Sequence, residues 1–346
     1  MTAKMNSVCY HAPGQMSIIQ TDIPKIDDNQ VLVKVTCCGI CGSDVGICSG
    51  GFGVKFPLIP GHEIIGIVSQ VGALVKDFVV GDRCAVDNII NCEACFFCRR
   101  NQPIQCTNIK IIGVHLPGAF TEYIAVSAKM VYKIGGISDE EAIFIEPISC
   151  AIHGVDRLGS LVPGMNALVI GAGVHGIVLS QLLKLNGASC VTLAANRGKK
   201  MDIARQVNAA DVYVEFDRAD PTSQWTSLKE ENPLGFEVVI DATGSAKVVN
   251  DALDFVRSGG TLLLYGLYSD DAMVQWSPTK IFANEIKVIG SFGQKHCFSR
   301  ALEYLQRNKI NVKGLVTDVF PINDFNNAMD KVGTKDCCKI VIKPSL

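Results

Sequence analysis

The sequence has no polybasic run and no apolar stretch long enough to span a bilayer. Its first residues, MTAKMNSVCYHAPG, carry no apolar core of the signal-peptide kind. The first absence, with a formal net charge of −2, argues against nucleic acid or an anionic membrane as the main partner. The other two argue against membrane insertion and export, and the C-terminal KPSL is only a distant echo of a peroxisomal SKL. Internal repeats, low-complexity tracts and long linkers are also missing. Charged residues make up 19% and hydrophobic ones 48%, the balance of a packed globular protein. At 346 residues, two domains are expected rather than one core. Cysteine is plentiful. Fifteen thiols without an export signal belong in a reducing compartment, where they stay reduced or bind metal, so a cytoplasmic location is expected.

Four of those cysteines crowd into CEACFFCRRNQPIQC, residues 92–106, with gaps of two, two and seven. Four thiolates close a tetrahedral zinc site of the structural type, with no position left for substrate. A bacterial iron–sulfur run would leave three residues between its third and fourth cysteines and follow the fourth with proline. Here seven residues separate Cys98 from Cys106, which precedes Thr107. A zinc ribbon for nucleic acid would need a second CxxC pair and a basic face, and neither is present. Buried, incidental thiols are the plain alternative. The polar setting of Glu93, Arg99, Arg100, Asn101 and Gln102 weighs against it, and Cys92, Cys95, Cys98 and Cys106 are the expected structural zinc ligands.

A second constellation is spread wider. Val31, Val33 and Val35 alternate as in a strand until Gly39 and Gly42 break it, with Cys41 between the glycines. GHEIIG at 61–66 offers His62 and Glu63, and EPISC at 146–150 offers Glu146. A thiolate, an imidazole and a carboxylate suit a zinc that keeps one position free and acts as a Lewis acid. Each signal is weak alone. Their joint order around the four-cysteine loop is specific.

With GICGSD (39–44), GHE (61–63), GDR (81–83), the cysteine loop, EPISC and a glycine motif at 171–176, the chain resembles the zinc-dependent medium-chain alcohol dehydrogenases, most nearly their sorbitol and polyol branch. The resemblance implies an α/β protein: a doubly wound parallel-sheet (Rossmann) nucleotide domain and a mostly β GroES-like catalytic domain carrying a zinc lobe. By resemblance the catalytic domain takes 1–149 and 292–346, with the lobe at about 88–110, and the nucleotide domain takes 150–291. It also implies that Cys41 and His62 are ligands of a catalytic zinc, with Glu63 a third or exchangeable one. Plain alcohol dehydrogenases carry a cysteine near the place of Glu146; a glutamate there is the polyol pattern and holds a water on the metal. Family members often carry a histidine two positions after the aspartate of GSD, on a proton path. This chain has Gly46 there, so a proton reaching Ser43 must leave by water or another group.

In ALVIGAGVHGIVLSQLLKLNGASCVTLAANRGKK, 167–200, Ala167–Ile170 reads as a buried parallel strand. Gly171, Gly173 and Gly176 form G-x-G-x-x-G, with Val174 and His175 inside it. Val178, Leu182 and Leu185 then follow at helical spacing. The glycines permit a tight turn and a close pyrophosphate, which rests on the helix N-terminus. An NAD site normally presents an acid at the end of the next strand, here Cys190–Ala194. No acidic residue stands between Gly176 and Asp202. The corresponding position is Ala195, followed by Asn196, Arg197, Lys199 and Lys200. Losing the carboxylate and placing cations nearby favours a 2′-phosphate, so NADP(H) is preferred over NAD(H). The rest reads as a strand at Val238–Ile240, a helix through Val248–Val256, a break at Gly259 and Gly260, and a strand at Thr261–Tyr265.

The expected activity is reversible oxidation of a secondary hydroxyl of a sugar alcohol, such as arabinitol, xylitol or sorbitol, to the ketose, with hydride passing to NADP. Cys41, Ser43, His62, Glu63 and Glu146 are the expected catalytic group, with two zinc ions per chain, catalytic and structural. The partners are a small polyol or ketose and copies of the chain itself, as a homodimer or homotetramer by resemblance. The rivals are dehydrogenation of a non-polyol alcohol or a sugar phosphate, a zinc-free enone reductase of the same superfamily, and a catalytically silent NADP(H)-binding regulator.

Overall fold

The computed structural model describes residues 3–217 and 219–346. Among the described residues the chain runs β1 (Lys4–Ala12), β2 (Gln15–Asp22), β3 (Gln30–Ile40), α1 (Gly42–Cys48), β4 (Glu63–Val71), β5 (Arg83–Val86), β6 (Ile89–Ile90), β7 (Lys110–Ile111), β8 (Tyr123–Ser127) and β9 (Val131–Lys133). It continues α2 (Asp139–Ala142), α3 (Ile145–Arg157), β10 (Asn166–Ile170), α4 (Val174–Leu185), β11 (Cys190–Asn196), α5 (Lys199–Gln206), β12 (Val212–Phe216), α6 (Thr222–Glu231), β13 (Phe236–Asp241) and α7 (Ala246–Ala252). It ends β14 (Val256–Leu264), α8 (Pro278–Ala283), β15 (Lys287–Gly290), α9 (Phe298–Gln306), β16 (Val316–Pro321), α10 (Phe325–Lys331) and β17 (Lys339–Lys343). No helix among the described residues is long and apolar enough to cross a membrane.

The chain divides into two compact units, one made of Met1–Glu146, Phe298–Arg307 and Val316–Leu346, the other of Pro147–Cys297 and Asn308–Leu315. In the first, β16, β17, β3, β4, β5 and β9 lie in that order, and β8 also pairs with β3. β3 is sandwiched between neighbours, so the alternation read at Val31, Val33 and Val35 gives way to near-continuous burial along the strand. Phe120, Phe325, Tyr10 and the β3 valines build the core beneath this sheet. Strand pairing sets two close approaches. β3 ends beside the start of β4, with Gly39 opposite Glu63, and β17 returns along β3 with Ile340 opposite Ile40. The short β6–β7 pair closes the base of the cysteine loop.

The second unit is the doubly wound sheet, β12-β11-β10-β13-β14-β15, parallel at every pairing. Strand order reverses between β10 and β13, and the crevice beyond such a reversal is where doubly wound folds take a dinucleotide. β10 ends at Ile170 and Gly171 follows with φ +110°. A Cβ on Gly176 would lie 1.8 Å from the Gly171 carbonyl oxygen, so the third glycine lets α4 start tight against the strand end. The helix expected through Val256 stops earlier: α7 ends at Ala252, a single 3-10 turn covers Leu253–Phe255, and Val256 opens β14. Gly259, at φ +76°, and Gly260 lie inside that strand, where the register against β13 slips between Phe236 and Val238. They absorb an irregularity in one strand, whereas the sequence pattern suggested a break between two elements.

Gly176→Ala is therefore expected to destabilise the second unit by about 1–3 kcal/mol, the usual cost of forcing an atom into a filled space. Urea denaturation measures this; an unchanged midpoint would contradict the packing described.

Candidate functional site

Cys41 is the residue just before α1, His62 precedes β4, and Glu63 opens β4. Sheet pairing brings them together: one ligand-type atom from each lies within 4.8 Å of the others, so the three could hold a metal ion. Glu63 is fully buried, and its carboxylate occupies the space a side chain at residue 39 would take, since a Cβ on Gly39 would sit 1.9 Å from Glu63 Oε2. Ser43 Oγ lies 3.4 Å from His62 Nε2. Glu146, in the first turn of α3, is buried and accepts a hydrogen bond from Asn88 Nδ2 at 3.3 Å. It is not part of the close trio.

Two residues that the sequence did not single out complete the environment. Asp44 is wholly buried; its Oδ2 accepts the Cys41 N–H at 2.8 Å, and its Oδ1 stands 3.5 Å from His62 Nδ1. It thus braces one donor through the backbone and turns the imidazole of another, the arrangement by which a carboxylate orients a metal-binding histidine. Lys339, on β17 and 276 positions from Glu63 in sequence, places its ammonium 2.7 Å from both Glu63 oxygens and 3.2 Å from the Ile40 carbonyl. Burial works against the Lys339 charge, but Glu63, Cys41 and Glu146 outweigh it and hold the ammonium firmly protonated.

The donor chemistry fits a divalent cation. With Cys41 as thiolate and His62 neutral, the forms in which these side chains bind metal, the negative charges of Cys41, Asp44 and Glu63 face the single positive charge of Lys339 in a water-poor space. Burial would raise the Cys41 thiol, yet His62 and Lys339 bring it down to about 6. Burial would likewise strip His62 of its proton, yet Asp44 and Cys41 hold the imidazolium well above its ordinary range. Positive charge is wanted there, and a metal ion supplies it on the same donors.

The cysteine loop fits a closed site. Sulfurs of Cys92, Cys95, Cys98 and Cys106 all lie within 4.8 Å of one another; four sulfurs about 2.3 Å from one ion would be about 3.8 Å apart. Backbone N–H groups of Cys92 and Asn108 donate to Cys106 Sγ at 3.4 and 3.3 Å. The amides of Cys98 and Thr107 bring Cys95 down to about 5, while burial and its hydrogen bond with Cys95 push Cys98 up to about 12. None of the fifteen cysteines forms a disulfide.

In the second unit Gly171, Gly173, Val174, His175 and Gly176 lie together at the β10–α4 turn. His175 Nδ1 is 2.9 Å from the Tyr265 hydroxyl, beyond the end of β14. Ala195 and Asn196 end β11, Arg197 follows, and Lys200 is in the first turn of α5 beside the exposed Asp202.

Residues 27–136 match the alcohol dehydrogenase GroES-like domain and residues 175–307 the zinc-binding dehydrogenase family. The chain is 50% identical over 345 residues to D-arabinitol dehydrogenase 1 of Uromyces fabae, covering 100% of this chain and 99% of that one. A provisionally assigned zinc-binding dehydrogenase of Sinorhizobium meliloti 1021, solved with NADP, superposes with a TM-score of 0.92 at 28% identity, covering 99% and 100% of the two chains. A structure from E. coli CFT073 described as a short chain alcohol dehydrogenase, complexed with NADH, gives 0.89 at 28%, covering 98% and 99%.

Removing one partner of a buried ion pair leaves the other charge unpaired, at a cost of about 3–5 kcal/mol. Lys339→Met should lower stability by that amount, and Glu63→Gln added to it should recover most of the loss. Chemical denaturation of the single and double variants checks this; additive losses would contradict the pairing.

Proposed function

The chain belongs to the zinc-binding medium-chain alcohol dehydrogenases, in their polyol branch, and from that membership we propose reversible oxidation of a pentitol of the arabinitol type to its ketose, with NADP preferred as hydride acceptor. The observation that carries the reading is the close trio of Cys41, His62 and Glu63, braced by Asp44 and Lys339. Cys41 and His62 would hold a catalytic zinc directly. Glu63 would be its third, exchangeable donor, because Lys339 competes for both carboxylate oxygens.

Zinc bound there would make a substrate hydroxyl acidic, and the dinucleotide would take up the hydride. The rest falls to side chains. Ser43 would accept the hydroxyl proton at Oγ and pass it to water, Gly46 offering no group to receive it. Glu146, fixed by Asn88, would orient a water or a neighbouring substrate hydroxyl by accepting its hydrogen bond. An oxygen donor there, in place of a further thiolate, suits a substrate rich in vicinal hydroxyls. Gly171, Gly173 and Gly176 would cradle the pyrophosphate, with Val174 and His175 in the same turn. Ala195, Asn196, Arg197 and Lys200 would face the adenosine ribose, with Arg197 and Lys200 supplying cationic donors for a 2′-phosphate. Cys92, Cys95, Cys98 and Cys106 would hold the structural zinc. Fifteen cysteines, none in a disulfide, support a cytoplasmic location, and the family resemblance a homodimer or homotetramer.

A rate panel of pentitols, hexitols and their keto sugars with NADP and with NAD tests the substrate and the coenzyme. A pentitol should give the highest kcat/KM, and NADP should exceed NAD; turnover of none of these sugars would overturn the reading. Metal analysis should give about two zinc per chain, falling to about one in Cys98→Ser. A value of one in the unaltered protein would contradict the open site. Arg197→Ala should raise KM for NADP about tenfold more than KM for NAD, the loss of one charge-assisted contact. Equal effects on both would count against the 2′-phosphate assignment.

A further inference from the structure

β11 lacks a carboxylate at its end, but the strand beside it provides one. In the parallel register Ala195 lies next to Glu215 and Asn196 next to Phe216, and the Arg197 N–H donates to the Phe216 carbonyl at 3.1 Å. This fixes the backbone of Arg197 to β12. Glu215 then reaches both ways: its Oε2 accepts from Arg197 Nε at 3.1 Å and its Oε1 from Arg205 Nη2 at 3.1 Å. Arg205 also lies over the Tyr213 ring, 4.7 Å from its centre, so that guanidinium is held from two directions. Arg197 is held only from one, with its side chain 82% exposed. The two arginines keep the Glu215 carboxyl below its ordinary range, Arg205 most strongly. The cluster therefore carries one net positive charge, where Arg197 alone would suggest an uncommitted cation.

We propose that Glu215 is a specificity-determining residue for the coenzyme, competing with a 2′-phosphate for Arg197 and so setting how strongly NADP is favoured over NAD. The proposal rests on the dinucleotide reading of this unit and deepens it. A 2′-phosphate is a dianion that binds guanidinium through paired, charge-assisted hydrogen bonds. To gain Arg197 it must draw the Nε–H from Glu215, or bind beside a carboxylate that repels it. A ribose 2′-hydroxyl carries no charge and meets neither cost. The acid that sequence inspection finds missing from β11 is thus restored across the strand pair, but turned to the arginines, where it lowers phosphate affinity.

Glu215→Gln keeps the shape and removes the charge. The ratio of kcat/KM for NADP to that for NAD should rise about fivefold, the scale of one exposed charge interaction, and the rise should sit in KM for NADP rather than in kcat. Raising ionic strength should shrink it, because the groups face solvent. The shift should fall below about twofold when Glu215→Gln is combined with Arg197→Ala, the coupling expected of partners in direct contact. Arg205→Gln approaches from the other side: Glu215 then serves Arg197 alone, and the ratio should fall. Equal changes with both coenzymes would make Glu215 a structural residue and overturn the proposal. A loss confined to NAD would overturn it too, since Glu215 would then be accepting the ribose hydroxyls itself. The unaltered protein's own ratio tests the NADP preference separately: a protein that favours NAD, but moves toward NADP in Glu215→Gln, contradicts that preference and supports Glu215 as the competitor for Arg197.

Discussion

Buried charge around Cys41 and His62 is the constraint to which the first unit is built. Asp44 and Glu63 are both fully buried, and only Lys339 among the described side chains is hydrogen-bonded to the Glu63 carboxylate. Such a cluster is unfavourable unless every charge has a partner. The sheet supplies the partners by its register. Gly39 opposite Glu63 leaves room for the carboxylate, and β17 alongside β3 delivers the ammonium from the far end of the chain. The turn into α1 then folds Asp44 back on Cys41.

The two metal-type sites differ in how they are made. The cysteine loop is local: four donors within fifteen residues, closed at the base by the two-residue strands β6 and β7, with backbone amides pointing at the sulfurs. The trio is assembled over long range, and its charge balance depends on a lysine 276 residues away. A loop of the first kind is visible as spacing alone. The second kind is visible only in part.

That difference accounts for what could be read from the sequence and what could not. Cys41, His62 and Glu63 stand beside glycines that mark turns, and turn chemistry is local. Lys339 sits in KIVIK, which reads as an ordinary strand with charged ends; nothing local distinguishes a lysine aimed at solvent from one paired inside. Asp44 was in view as part of GSD, but its contact with His62 depends on strand pairing. The doubly wound sheet was legible because strand, glycine turn and helix follow one another directly from Ala167. Glu215 was not, because its bearing on Arg197 is a matter of which strand lies beside β11. The overlong helix near Val256 has the same origin: Gly259 and Gly260 look like a break in sequence and act as an irregularity within one strand.

The central claim, that Cys41 and His62 grip a zinc while Lys339 stays on Glu63, is tested most directly by diffraction above and below the zinc absorption edge on metal-replete crystals. The expected result is an anomalous peak in contact with Cys41 Sγ and His62, beside an intact Lys339–Glu63 pair. A peak confined to the four-cysteine loop, with no signal at Cys41 and His62, would contradict it.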